Sequence, residues 1–199
     1  METGYDSASM RQKLAQCSVA VAGLGGLGSN IAVMLARAGV GQLFLVDFDR
    51  VDESNLNRQY YFLPQIGKYK TDAISEVLAA VNPQTAVSAK CVKVTEQNVL
   101  TLFGGFDVVC EAFDSPESKA DLVNCLLEKS KAKIVAASGM AGLENMNEIR
   151  TQHVMRRLYL CGDGESGTNA GDMFAPRVTA CAAHQANVVL RLLLDMETK

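Results

Sequence analysis

Glycines 23, 25 and 28, in the run GLGGLGS, form a G-x-G-x-x-G pattern between an apolar run and an amphipathic one. The first two let the backbone turn tightly and come close to a phosphate; the third lets a helix pack against a strand. A helix starting there aims its unpaired N–H groups and positive dipole end at an anion. Asp47 closes the next apolar run, 19 residues after Gly28. A carboxylate at that place can accept both hydroxyls of an adenosine ribose. Asn55, Arg58, Gln59, Lys68 and Lys70 follow closely. Two or three cations aimed at a phosphate loop exceed what a dinucleotide needs. They suit a triphosphate whose charge is redistributed during reaction. Asp114 follows a later apolar run, at the strand end where ligands gather in open α/β sheets. It can hold Mg2+, a hard cation satisfied by one or two carboxylates plus phosphate oxygens. Plainer readings stay open at this point: a solvated helical turn for Lys68 and Lys70, a surface ion pair for Arg58, and a nicotinamide dinucleotide in place of ATP.

The elements that must position these residues are legible as apolar runs. Cys17–Ala22 reads as a buried strand, and apolar residues then recur at helical spacing from Leu27 to Ala38 until Gly39 and Gly41 stop them. Leu43–Phe48 is a second strand, followed by the aperiodic DRVDESNLNRQ. Residues 68–81 read as a helix stopped by Asn82-Pro83, 85–94 as a strand, and 95–103 as a short helix capped by Thr95. Phe106–Ala112 is a fourth strand. Ser115-Pro116 opens a helix to about Lys129, and Ile134–Ala137 is a fifth strand. Continuous apolar strands alternating with helices predict an α/β, Rossmann-like, doubly wound and mostly parallel sheet. Residues 148–154 and 157–161 read as antiparallel strands on its edge. The glycine-rich 162–172 stretch is a loop, and a helix runs from Pro176 to about Asp195. That stretch reads either as a plain surface connection or as a loop that orders when a partner is bound. No linker is visible, so residues 1–199 are expected to form a single domain.

The chain is 48% apolar and 21% charged, which argues against wholesale disorder. Its net charge of −3 gives no reason to expect a nucleic-acid partner. No apolar run approaches the ~20 residues of a membrane helix, and the N-terminus lacks the apolar core of a signal peptide. The expected location is therefore cytoplasmic, with no membrane association. The six cysteines stand singly with no C-x-x-C pair, so no zinc is expected. Cys161, next to the glycine-rich loop, reads as the least buried of them.

The strings GLGGLGSN, LVDFDRVDESNLNRQ and GKYK resemble the E1-like activating enzymes, and within them the ThiF and MoeB branch. The similarity spans roughly residues 17–138 and extends to APRVTACAAHQAN. The chain looks most like the short ThiF-like proteins of thiamine biosynthesis. The resemblance implies an adenylyltransferase that uses ATP and Mg2+ to activate the C-terminal glycine carboxylate of a small ubiquitin-like sulfur carrier, ThiS-like and ending in Gly-Gly. It also implies a homodimer. Related E1-like enzymes acting on a modified tRNA base or a peptide C-terminus are the alternative.

Residue roles follow from the same resemblance. Gly23, Gly25, Gly26 and Gly28 form the ATP loop, with Gly26 as the glycine contacting the nucleotide. Asp47 binds ribose, and Ser54–Arg58 lines the phosphates with Asn55 and Arg58 contributing to catalysis. Lys70 steadies the phosphates, although one residue is missing between it and Arg58 relative to the family spacing, which makes Lys68 the alternative. Asp114 binds Mg2+. Arg11 is the available counterpart of an arginine donated across the dimer, and Cys161 is the nearest candidate for a thiol role.

Overall fold

The structure, a computed structural model, describes residues 6–166 and 172–196. A seven-stranded sheet forms its middle layer, in the order β3-β2-β1-β4-β5-β7-β6. The strands are β1 (Ser18–Ala22), β2 (Gln42–Asp47), β3 (Ala86–Cys91), β4 (Val108–Glu111), β5 (Lys133–Ala137), β6 (Arg150–Met155) and β7 (Leu158–Gly162). All neighbours pair in parallel except β6 and β7, which form the antiparallel edge that the sequence predicted.

Alternation along each buried strand splits the core in two. Val19 and Val21 of β1 face one cluster, packed against α2 (Gly26–Arg37), α3 (Lys70–Val81) and α6 (Ala175–Leu193). Ala20 and Ala22 face the other, against α4 (Val99–Phe103) and α5 (Pro116–Lys129). Burying each large aliphatic side chain on either face stabilises the sheet by about 1.5–3 kcal/mol. No helix among the described residues is long and apolar enough to cross a membrane.

Several boundaries differ from the reading of the sequence, each for a local reason. The short helix begins at Val99 rather than Thr95, because the Asn98 side chain accepts the Thr95 N–H and holds a turn there. The 85–94 run yields a shorter strand, β3, which is a largely exposed edge and not a buried run. An N-terminal helix, α1 (Ser7–Leu14), capped by Asp6, has no apolar period to announce it and buries Leu14. Cys161 is fully buried, reversing its expected exposure: the glycine-rich loop starts beyond it, while its own side chain faces the core under α6. Cys91, on the edge strand, is the exposed one. Arg11 sits exposed on α1. Of the polar 162–172 stretch, residues 167–171 lie outside the described residues.

Candidate active site

A cavity of about 600 Å³ opens above the carboxyl ends of β1, β2, β4 and β5. The GLGG loop forms its floor. Gly23 takes φ +92°, a left-handed conformation that disfavours any Cβ. Gly28 does not line the cavity. It lies against the Gly23 carbonyl so closely that a Cβ would stand 1.8 Å from that oxygen. This is the close helix–strand packing that the third glycine permits. The first turn of α2 begins at Gly26, with no side chain capping it, so its N–H groups face the cavity.

The loop is fastened from two sides. Asp47, buried at the end of β2, accepts the Leu24 N–H at 2.6 Å through one carboxylate oxygen and the Asp49 N–H at 2.7 Å through the other. Each oxygen keeps a further lone pair for a ligand. The Tyr61 hydroxyl donates to the Leu24 carbonyl at 2.8 Å. Its ionisation is pushed far up by burial and by the neighbouring Asp47 and Asp49, so it remains a donor. The residues after the GLGG run explain how the polar segment reaches the loop. Ser29 accepts the Tyr60 N–H, and Asn30 donates to the carbonyls of both Gly26 and Arg58. Those bonds lay the Arg58 side chain beside Gly26, where a Cβ would meet it at 3.6 Å.

The structure separates the candidate cations. Lys70, the first residue of α3, is buried, lines the cavity and pairs with Asp49 at 2.9 Å. Lys68 does not line the cavity. It is exposed, precedes α3 and is held at 2.6 Å by Glu76 of that helix. Arg58 lines the cavity with its guanidinium already bonded to the Ser54 carbonyl and to Asn57. Ser54 and Asn55 are not among the lining residues. Their side chains close a capping turn with Asp52 instead, Ser54 donating to the Asp52 carboxylate and Asn55 accepting the Asp52 N–H. Asp114 is exposed at the cavity edge, beyond β4.

Asp49, Glu111, Lys119, Arg177 and Asp163 escaped the reading of the sequence. Asp49 anchors Lys70, and only the intervening turn shows that these two meet. Glu111 is fully buried at the end of β4 and pairs with Lys119 of α5, which lines the cavity. Burial pushes the Glu111 carboxyl up, against the opposing pull of Lys119 and of the Phe113 and Ala137 amides. Behind the lining residue Val178, Arg177 of α6 is fully buried. It pairs with Asp163 and donates to the carbonyls of Glu144 and Asn145. Burial favours a raised Asp163 carboxyl, but Ser166, the Glu165 amide and Arg177 outweigh it and hold that carboxyl low. Asp163 binds Ser166, a lining residue, so Arg177 fastens the described start of the polar loop to the cavity rim.

Residues 3–199 match the ThiF family. The chain belongs to the ThiF family. It is 34% identical over 137 residues to the adenylyltransferase and sulfurtransferase UBA4 of Meyerozyma guilliermondii, covering 68% of this chain and 32% of that protein. It is 31% identical over 140 residues to the tRNA threonylcarbamoyladenosine dehydratase of Haemophilus influenzae, covering 69% of this chain and 53% of that one. The chain thus spans about a third to a half of the length of these curated relatives. Among solved structures, the E. coli dehydratase TcdA in complex with ATP superposes with a TM-score of 0.86 at 22% identity, covering 94% of this chain and 89% of TcdA. E. coli MccB with MccA-N7isoASN superposes with a TM-score of 0.73 at 22% identity, covering 94% and 59%. The fold is therefore the E1-like, Rossmann-type α/β fold of these enzymes.

Proposed function

We propose that this protein binds ATP with Mg2+ and transfers AMP to a carboxylate, releasing pyrophosphate. The observation that carries the reading is the convergence on one cavity of an uncapped helix start, the buried Asp47 carboxylate and the buried Lys70 ammonium. In this reading the free lone pairs of Asp47 accept the ribose hydroxyls. The N–H groups at Gly25 and Gly26, with Lys70 and Arg58, neutralise the phosphates. Asp114 is the residue that would hold Mg2+, which would supply positive charge to offset that of the phosphates. An oxygen of the acceptor carboxylate attacks the α-phosphorus. The bond from that phosphorus to the bridging oxygen breaks, and the electron pair leaves on pyrophosphate. The attacking carboxylate is already ionised at neutral pH, so no general base is required. Catalysis rests on alignment and on charge placed in advance.

Two acceptors fit this chemistry. A protein tail ending in glycine, as on a ubiquitin-like sulfur carrier, suits the acidic balance of the chain and the naming of the UBA4 relative. The carboxylate of a threonylcarbamoyl-modified tRNA is favoured by coverage, since the dehydratase is matched over 53% of its length and UBA4 over 32%. The narrower role, with a ThiS-like carrier in thiamine biosynthesis and a homodimer as the working unit, rests on the motif resemblance. Calorimetry tests the nucleotide. ATP with Mg2+ should bind more tightly than NAD, and Asp47→Ala should weaken it; NAD binding more tightly than ATP would overturn the reading. Pyrophosphate release with a Gly-Gly carrier or with the modified tRNA then tells the two acceptors apart.

A further inference from the structure

The cavity has two differently built halves. The half over β1 and β2 holds Asp47, the GLGG loop, Arg58 and Lys70. The half over β4 and β5 is built largely of small or apolar groups, Ala112, Ala137, Ser138, Gly139 and Met140, with Phe113 and the Asp114 carboxylate at its edge. Among the described lining residues it contains a single cation, Lys119.

Lys119 is badly placed by local rules. It lies four residues into α5, where the positive end of the helix dipole disfavours a cation. Its partner Glu111 is 0% exposed, and a buried ion pair is on average no better for stability than apolar side chains of similar volume. Departures of this kind collect at functional positions. The construction also leaves the lysine with something to offer. Glu111 is fixed by the Phe113 N–H at 2.7 Å and accepts a hydrogen bond from one ammonium N–H of Lys119. A lysine has three donors, so two remain, and the side chain keeps 28% of its surface exposed on the cavity wall.

We propose that Lys119, held in place by Glu111, grips the terminal carboxylate of an extended, small-residue peptide tail that enters the cavity along Ala137–Gly139. Lys119 is then a residue that touches substrate, and Glu111 positions it. The proposal rests on the adenylation reading and names its acceptor as a peptide tail. Backbone of small residues lines this half, which suits a glycine-like chain. The flat faces that stack a nucleobase are represented there by Phe113 alone among the described lining residues.

The test uses a fluorescein-labelled decapeptide ending in Gly-Gly, prepared as the free acid and as the carboxamide. Anisotropy titrations are run on the whole protein, with and without α,β-methylene-ATP. For the wild type, the acid should bind at least about tenfold more tightly than the amide, roughly the worth of one charge-assisted hydrogen bond. Lys119→Met alone strands a buried carboxylate and can fail to fold. The pair Glu111→Gln with Lys119→Met leaves no buried charge, and Lys119→Arg keeps the cation. The double variant should lose the preference for the acid while binding the ATP analogue within about threefold of wild type, and Lys119→Arg should retain part of the preference. Equal binding of acid and amide by the wild type overturns the proposal, including in favour of a tRNA acceptor. A preference that persists in the double variant does the same. Failure of the wild type to bind the ATP analogue instead counts against the adenylation reading, and the acid–amide comparison is still read on the nucleotide-free protein.

Discussion

Replacing Gly28 by alanine should damage fold and ligand site together, because the added Cβ has nowhere to go. It would stand 1.8 Å from the Gly23 carbonyl oxygen and 2.8 Å from its carbon, with the Ala112 Cβ at 3.3 Å. The first of these is about 1.2 Å short of the 3.0 Å that real Cβ contacts respect. The obstacle is backbone on one side and backbone on the other, so no rotamer change relieves it. The start of α2 must retreat from β1 by about that distance. Overpacking that side chains can absorb costs about 1–3 kcal/mol, so a displaced helix start should cost at least about 3 kcal/mol. With a urea dependence of about 2–3 kcal/mol/M, the unfolding midpoint should fall by about 1–1.5 M. The same retreat moves the N–H groups at Gly26 by about an ångström, enough to weaken every hydrogen bond they donate. ATP affinity should therefore drop more than tenfold at temperatures where the variant is still folded. Gly25→Ala is the control for packing: the nearest neighbour of its Cβ is Gln59 Nε2 at 3.9 Å, so it should fold normally. A Gly28→Ala protein with an unchanged midpoint and unchanged ATP affinity would refute the reasoning.

Other outcomes follow from the same geometry. Arg58→Ala should lower turnover by on the order of a hundredfold or more while leaving the melting temperature nearly unchanged, because its guanidinium bonds only to its own turn. The Asp163 carboxyl is held low in the fold, so its pairing contributes stability above the ordinary carboxylate range, and that contribution is lost as pH falls through the lowered value. The stability gap between wild type and Asp163→Asn, followed by urea titration, should accordingly be full near neutrality and close below about pH 4. Iodoacetamide at neutral pH should label Cys91 on the exposed edge strand and spare Cys161, which is buried and has its thiol pushed up to about 11. Mass spectrometry of the digested native protein reads the difference, and rapid labelling of Cys161 would contradict its placement.

Much of the scaffold was legible because its signals are local. The helix from Pro116 to Lys129, with Ser115 as its cap, stands where the Ser-Pro signal put it, and Ser115 accepts the Ser118 N–H. The antiparallel edge and the parallel centre followed from strand spacing and apolar runs. The phosphate loop was visible because glycine's conformational roles are written in single residues, as Gly23 and Gly28 illustrate. Contacts between segments far apart in the chain were not legible. Nothing local says that Lys70 turns inward to Asp49 while Lys68, two residues earlier, turns outward to Glu76. Asn55 and Ser54 carried a motif signal, yet their side chains are spent on a turn that shapes the segment holding Arg58. Glu111–Lys119 and Arg177–Asp163 join different elements, and a buried charge inside an apolar run looks like an interruption until its partner is known.

The most direct measurement of the central claim is exchange of labelled pyrophosphate into ATP, with Mg2+ and a carboxylate acceptor present. Reversible adenylation requires that exchange to depend on all three. Lys70→Ala should reduce it by about 3–4 kcal/mol in activation free energy, on the order of a hundred- to a thousandfold, since a preorganised charged donor is lost. Lys68→Ala, altering an exposed pair outside the cavity, should leave it within about twofold of wild type. Wild-type exchange in Lys70→Ala, or no exchange by the wild type with either a Gly-Gly carrier or threonylcarbamoyl-modified tRNA, would contradict the account.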